Sequence, residues 1–190
     1  MDDQLPRRAA NHQPLTPLSQ LARAASVFPE RTAIIHGESR TSYAEFYARA
    51  RRLASAIGEA GVAKGSVVST LLLNTPPMLE AHYGVPMAGC VLNTINTRLD
   101  ADTVAYILDH SEAKLVLVDS ELAPLLADAL GRMVMPKPQV VEWADPTEDA
   151  TPAGMGIAYE ACLAGGDPVC DWQMPDDEWD AISLNYTSGT

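Results

Sequence analysis

The chain has 190 residues, 47% hydrophobic and 20% charged, so it can bury a core without staples and is not a disordered segment. Its formal charge is −12, and every Lys and Arg lies at or before Lys137: the first 137 residues stand near −1, while the last 53 carry eleven acids and no base. That balance argues against a nucleic-acid or anionic-membrane binder, which needs a basic face, and no apolar run reaches the length of a membrane span.

Residues 1–13 read as a flexible N-terminus, and 14–190 as a single α/β domain. Thr16-Pro17 reads as N-cap and first helical residue, with Leu18, Leu21, Ala22 and Ala25 on one apolar face and Pro29 as the stop. Thr32–His36, a Gly37-Glu38 turn and Arg40–Ser42 form a hairpin, in which His36 is a turn residue. Ser42 and Glu45 make a capping box. Behind it Phe46, Ala50, Leu53, Ala54 and Ile57 form a second helical stripe, closed by Gly61. Arg49, Arg51 and Arg52 sit mid-helix, away from the N-terminal amides that bind phosphate, so they read as a solvated face.

Residues 67–73 are almost uniformly apolar, as a strand buried on both faces should be. Thr75-Pro76 opens a helix that Pro86 should end or kink. Strand 91–95, helix 102–109, strand 114–119, helix 121–130 and strand 139–143 follow, then a loop over 144–156, a short helix over 159–164 and a strand over 181–186. Strands alternating with helices predict a mostly parallel, doubly wound sheet with helices on both faces. Ligands in such sheets bind beyond the carboxyl ends of the strands.

Other reactive side chains carry plainer readings. His82 reads as a core or interface histidine. Asp109 and His110, adjacent on a helix, do not face each other and read as helix-end chemistry. Cys90, Cys162 and Cys170 are scattered, neither a disulfide framework nor a zinc pattern, and read as thiols in a reducing compartment. Trp143, Trp172 and Trp179 read as packing acidic loops onto the sheet.

The last strand runs into Thr187-Ser-Gly-Thr190, hydroxyls in a glycine turn that suit phosphate oxygens. A polyphosphate also needs a cation, and no Lys or Arg lies within fifty residues upstream. Either the turn is not a phosphate site or the rest of the site is missing from these residues; the expectation is a fragment of a larger protein.

Asn185–Thr190 resembles the opening of the phosphate loop of the AMP-forming acyl-CoA synthetases, the adenylate-forming superfamily that includes luciferase and peptide-synthetase adenylation domains. Four further segments are similar to that family, in order: Thr41–Phe46, Arg52–Ala56, Gly61–Val68 and Pro86–Leu99. Ser66 departs from a common Asp. The wording of residues 84–99 is most similar to the branch acting on short- and medium-chain, methylthio-alkanoic or aromatic acids.

The resemblance implies the first part of the large N-terminal domain of such an enzyme, truncated inside its phosphate loop. It implies a ligase of fatty and related acids that uses ATP, Mg²⁺ and coenzyme A to form an acyl-adenylate and then an acyl-CoA. Thr187, Ser188, Gly189 and Thr190 would hold the β- and γ-phosphates, with Thr190 near Mg²⁺ and Tyr186 packing at the strand end. No catalytic residue is expected within these 190 residues, and the chain alone is expected to be inactive. Its partners would be a small carboxylic acid, ATP and CoA, without nucleic acid or membrane span, in a cytoplasmic protein that could be a homodimer. Two other readings stand beside it: a non-catalytic nucleotide- or partner-binding domain, and a structural or dimerisation fragment.

Overall fold

The computed structural model describes residue 8 and residues 10–148, 150–172 and 174–187. Among them, helix α1 (Leu18–Val27) leads into an antiparallel hairpin of β1 (Thr32–His36) and β2 (Ser39–Ser42). Then come α2 (Tyr43–Glu59), β3 (Val67–Leu71), α3 (Pro76–Met87), β4 (Val91–Thr94), α4 (Ala101–His110) and β5 (Leu115–Asp119). A 3₁₀ turn (Ser120–Leu122) precedes α5 (Ala123–Arg132), β6 (Gln139–Trp143), β7 (Ile157–Ala158), α6 (Tyr159–Gly165) and β8 (Ser183–Leu184). Six strands form one all-parallel sheet in the order β7-β6-β5-β3-β4-β8.

The apolar runs become the centre of this sheet because they can be covered from both sides. All five residues of β5 are buried. Leu115 and Leu117 point to α2, α3 and α6; Val116 and Val118 point to α4 and α5. Fully burying one such side chain contributes about 1.5–3 kcal/mol. A third cluster joins α1 and the hairpin to α2 through Leu18, Leu21, Ile34, Phe46 and Ala50.

Local signals hold where the chemistry is self-contained. The Glu45 amide donates to Ser42 Oγ at 3.2 Å, and Glu45 Oε2 accepts from the Ser42 amide at 2.8 Å. The five apolar residues of the α2 stripe are all buried, and Gly61 turns the chain out of the helix with φ +77°. Helix α1 starts one residue late, with Pro17 as its cap. Pro86 lies inside α3, but its missing hydrogen bond falls in the last turn and the helix stops one residue on. The expected strands at 67–73 and 181–186 pair over only 67–71 and 183–184, and β7 carried no sequence signal at two residues.

Gly84 is where α3 lies against α2. A Cβ there would stand 2.9 Å from the Ala50 carbonyl oxygen and 2.8 Å from Leu53 Cδ2. Alanine gains about 1 kcal/mol of helix propensity over glycine, but overpacking typically costs about 1–3 kcal/mol. Gly84→Ala should therefore lower the urea midpoint. Gly58→Ala on α2, where a Cβ meets nothing within 4 Å, should hold or raise the midpoint, with a gain in unfolding free energy of up to about 1 kcal/mol.

Candidate functional site

β8 pairs with β4 in parallel, Leu92 opposite Ser183 and Asn93 opposite Leu184. Both strands therefore leave the sheet at the same end, and Thr187 stands at the carboxyl end where ligand chemistry is expected. Side chains extend the hold beyond the short strand. Thr94 Oγ1 donates to Asn185 Oδ1 at 3.3 Å, and Tyr186 Oη lies 2.7 Å from His110 Nδ1. Burial, with Tyr106 nearby, pushes the Tyr186 phenol up, so it keeps its proton. Thr187 is exposed. Ser188, Gly189 and Thr190 lie outside the described residues.

A cationic side chain also lies at this end of the sheet. Arg98 lies in the loop after β4 and so emerges at the same end of the sheet as Thr187. It is exposed, and its guanidinium has no partner among the described residues. Sequence reasoning missed it because it searched along the chain, and parallel pairing brings together segments about ninety residues apart. Among the described residues, no group of three His, Cys, Asp or Glu could hold a metal ion.

Arg49, Arg51 and Arg52 are not a solvated face. Arg49 Nε donates to Glu80 Oε1 at 2.5 Å, and its Nη2 donates to Glu160 Oε1 at 2.6 Å. Arg51 Nε reaches the Cys170 carbonyl at 2.8 Å, and Arg52 Nη1 the Gly166 carbonyl at 2.9 Å. Their partners lie 31 to 119 residues away, so spacing on the helix could not reveal them. Glu80 is 1% exposed. It also accepts from the Tyr159 hydroxyl at 2.7 Å, and burial with Glu80 holds that phenol well above its ordinary range.

These groups border a cavity of about 430 Å³ lined in part by Arg40, Arg49, Glu80, Trp143 and Glu160. Arg40 donates to the carbonyls of Gly37 and Ser39. Arg49, Glu80 and Glu160 are bonded to one another and Arg40 to backbone, so the cavity wall is a structural network. A second cavity of about 300 Å³ is lined by Cys90 and Cys170 with Met87 and Met174. Burial pushes the Cys90 thiol up, which suits an inert packed cysteine.

His82 is exposed rather than core, its Nδ1 2.7 Å from the Met78 carbonyl, because the apolar face of α3 is carried by Ala81 and Val85. His36 ends β1 instead of forming the turn; its Nε2 lies 2.6 Å from Asp145. Asp109 accepts from the amides of Val134 and Met135, both at 3.0 Å, while His110 faces Tyr186. Trp143 is buried and Trp172 donates to the Tyr47 hydroxyl, but Trp179 is 93% exposed and packs no loop.

A family described as AMP-binding enzyme matches residues 21–190. The chain belongs to that family. It is 44% identical over 200 residues to an acetate–CoA ligase of Humulus lupulus, covering 99% of this chain and 35% of that protein. It is 43% identical over 201 residues to a peroxisomal acetate/butyrate–CoA ligase of Arabidopsis thaliana, again covering 99% and 35%. The chain thus spans about a third of the length of these relatives. A crystal structure of the anthranilate CoA ligase AuaEII with anthranoyl-AMP has the same fold, with a TM-score of 0.84 at 21% identity over 96% of this chain and 34% of that one. The parallel sheet flanked by helices is that of the N-terminal domains of adenylate-forming enzymes. Among the described residues no helix is long and apolar enough to cross a membrane.

The Arg49–Glu80 pair gives a direct test. Removing one partner of a buried pair typically costs about 3–5 kcal/mol, while replacing both by apolar groups costs far less. Arg49→Met should therefore lower unfolding free energy by about that amount in urea titration, and Arg49→Met with Glu80→Met and Tyr159→Phe, which leaves no buried hydroxyl orphaned, should recover much of it. Equal loss in the single and triple variants would contradict the pairing.

Proposed function

We propose that this chain is the N-terminal part of an ATP-dependent carboxylate–CoA ligase acting on a short- or medium-chain, methylthio-alkanoic or aromatic acid. The observation that carries the reading is the placement of Thr187. It stands at the carboxyl end of the sheet, in a family of AMP-binding enzymes, beside relatives whose names give acetate and butyrate as substrates. Short-chain acids are therefore the first candidates.

The chemistry solves a leaving-group problem. A carboxylate oxygen cannot leave, so it attacks the α-phosphorus of ATP and pyrophosphate departs. The acyl group then sits on AMP, a good leaving group, and the CoA thiol attacks the acyl carbon and expels AMP. The residues of this chain act on the first step. Thr187, Ser188 and Gly189 would offer hydroxyl and amide donors to the β- and γ-phosphates, and Thr190 would stand near the metal. Arg98 adds a positive charge at the same end of the sheet. Bound Mg²⁺ would neutralise polyphosphate charge as it develops on the departing pyrophosphate. Coenzyme A enters only as the second-step nucleophile, and its contacts would come from the remainder of the ligase. Location and assembly belong to the proposal too: the sequence points to a cytoplasmic protein, whereas the Arabidopsis relative is peroxisomal by name, and a homodimer would be seen by size-exclusion chromatography.

Hydroxamate trapping with a panel of carboxylic acids on the intact ligase should give acid-dependent hydroxamate and ATP–pyrophosphate exchange, while the 190-residue chain alone should give none. Loss of one donor to developing charge is worth about 10²–10³ in rate. Thr190→Ala should slow adenylate formation by that order and leave thiolysis of supplied acyl-adenylate unchanged, since no β- or γ-phosphate remains. Equal slowing of both half-reactions, or of neither, would contradict the role.

A further inference from the structure

We propose that His110 is a positioning residue for the phosphate loop: through Tyr186 it sets where the chain stands as it enters residues 187–190. The inference rests on the reading that this loop holds the polyphosphate.

β8 is short and pairs through one edge only among the described residues. Its backbone hold begins with the Leu92 amide donating to the Ile182 carbonyl at 3.0 Å and ends within two residues. A chain leaving so short a strand is free to pivot unless side chains stop it. Tyr186 is the last residue before Thr187 with such a stop, its hydroxyl 2.7 Å from His110 Nδ1.

His110 is itself well anchored. It ends α4, a helix buried through Val104, Ala105 and Leu108. The neighbouring Asp109 binds two backbone amides of the segment after α5. Tyr106, one turn earlier on the same face, stacks on the imidazole with centroids 5.4 Å apart and planes at 27°. Tyr186 meets it edge-on, at 5.7 Å and 82°. The stacked ring, the edge contact and the hydrogen bond all favour the same placement of the exposed imidazole against the phenol. Nδ1 is taken by the phenol, so this nitrogen acts through Tyr186.

The consequence falls on rate. Misplacing reacting groups by about 1 Å costs about 10² in rate, while losing an exposed hydrogen bond barely moves stability. In the intact ligase, single-turnover adenylate formation and thiolysis of supplied acyl-adenylate are measured separately for His110→Leu, His110→Asn, Tyr186→Phe and the double variant His110→Leu with Tyr186→Phe. His110→Leu and Tyr186→Phe should slow adenylate formation by about 10- to 100-fold, raise KM for ATP more than KM for the acid, and leave thiolysis unchanged. His110→Asn, whose amide reaches the place of Nδ1, should retain most of the wild-type rate. The double variant should be no slower than the slower single variant. Wild-type adenylation in His110→Leu, or equal slowing of both half-reactions, overturns the positioning role while the ligase reading stands. A wild-type protein that activates no acid on the panel overturns that reading, and the inference with it.

Discussion

The structure depends on carrying the chain from one edge of the sheet to the other. β7 lies at one edge and β8 at the opposite one, five strand gaps apart, a span of about 24 Å. The connecting residues 159–182 cross the face covered by α2 and α3. That crossing is pinned by α2. Arg49 holds Glu160, Arg52 holds the carbonyls of Leu163 and Gly166, Arg51 holds the Cys170 carbonyl, and Tyr47 accepts from Trp172. Lys64, just beyond the helix, holds Asp176 at 2.9 Å. Gly166 permits the closest approach, since a Cβ there would collide with the Arg52 carbonyl oxygen.

The energetics of this strap are uneven. Exposed pairs such as Lys64–Asp176 contribute little on their own. Glu80 is different, because burying a carboxylate is costly unless its oxygens are satisfied. Arg49 and Tyr159 satisfy both, and Arg49 extends to Glu160 in the strap. The same guanidinium thus joins α2, α3 and α6. The site inherits this stiffness, since only a strap held in place delivers β8 to the edge beside β4, with Asn185 and Tyr186 taking over the hold where the strand ends.

Much of the fold was legible because its signals are local or repetitive. The Ser42–Glu45 capping box and the α2 stripe need only their own helix. β3 and β5 announce themselves as nearly uninterrupted apolar runs. The elements that failed are those whose partners are remote. β7 is two residues long and exists because β6 offers an edge. Residues 185 and 186 look like strand but lie beyond the paired end of β4 and are fixed by side chains instead. The α2 arginines show helical spacing whether they face water or a strap, and only the folded chain separates the two. For the site, the position of Thr187 follows from the rule for parallel sheets, whereas Arg98 and His110 are visible only once β4 and α4 are placed beside β8. Ser188, Gly189 and Thr190 rest on the family motif and fall outside the described residues.

Hydrogen exchange read by mass spectrometry on this chain and on Arg52→Ala tests the central claim, that the α2 strap holds β8 in place. A hydrogen bond from a charged donor contributes about 1.5–3 kcal/mol, enough to raise exchange by local opening about tenfold or more. The account predicts that Arg52→Ala accelerates exchange over residues 181–186 by that factor and leaves the buried strand β5 unchanged. Unchanged exchange at residues 181–186, or an equal rise at β5, would contradict it.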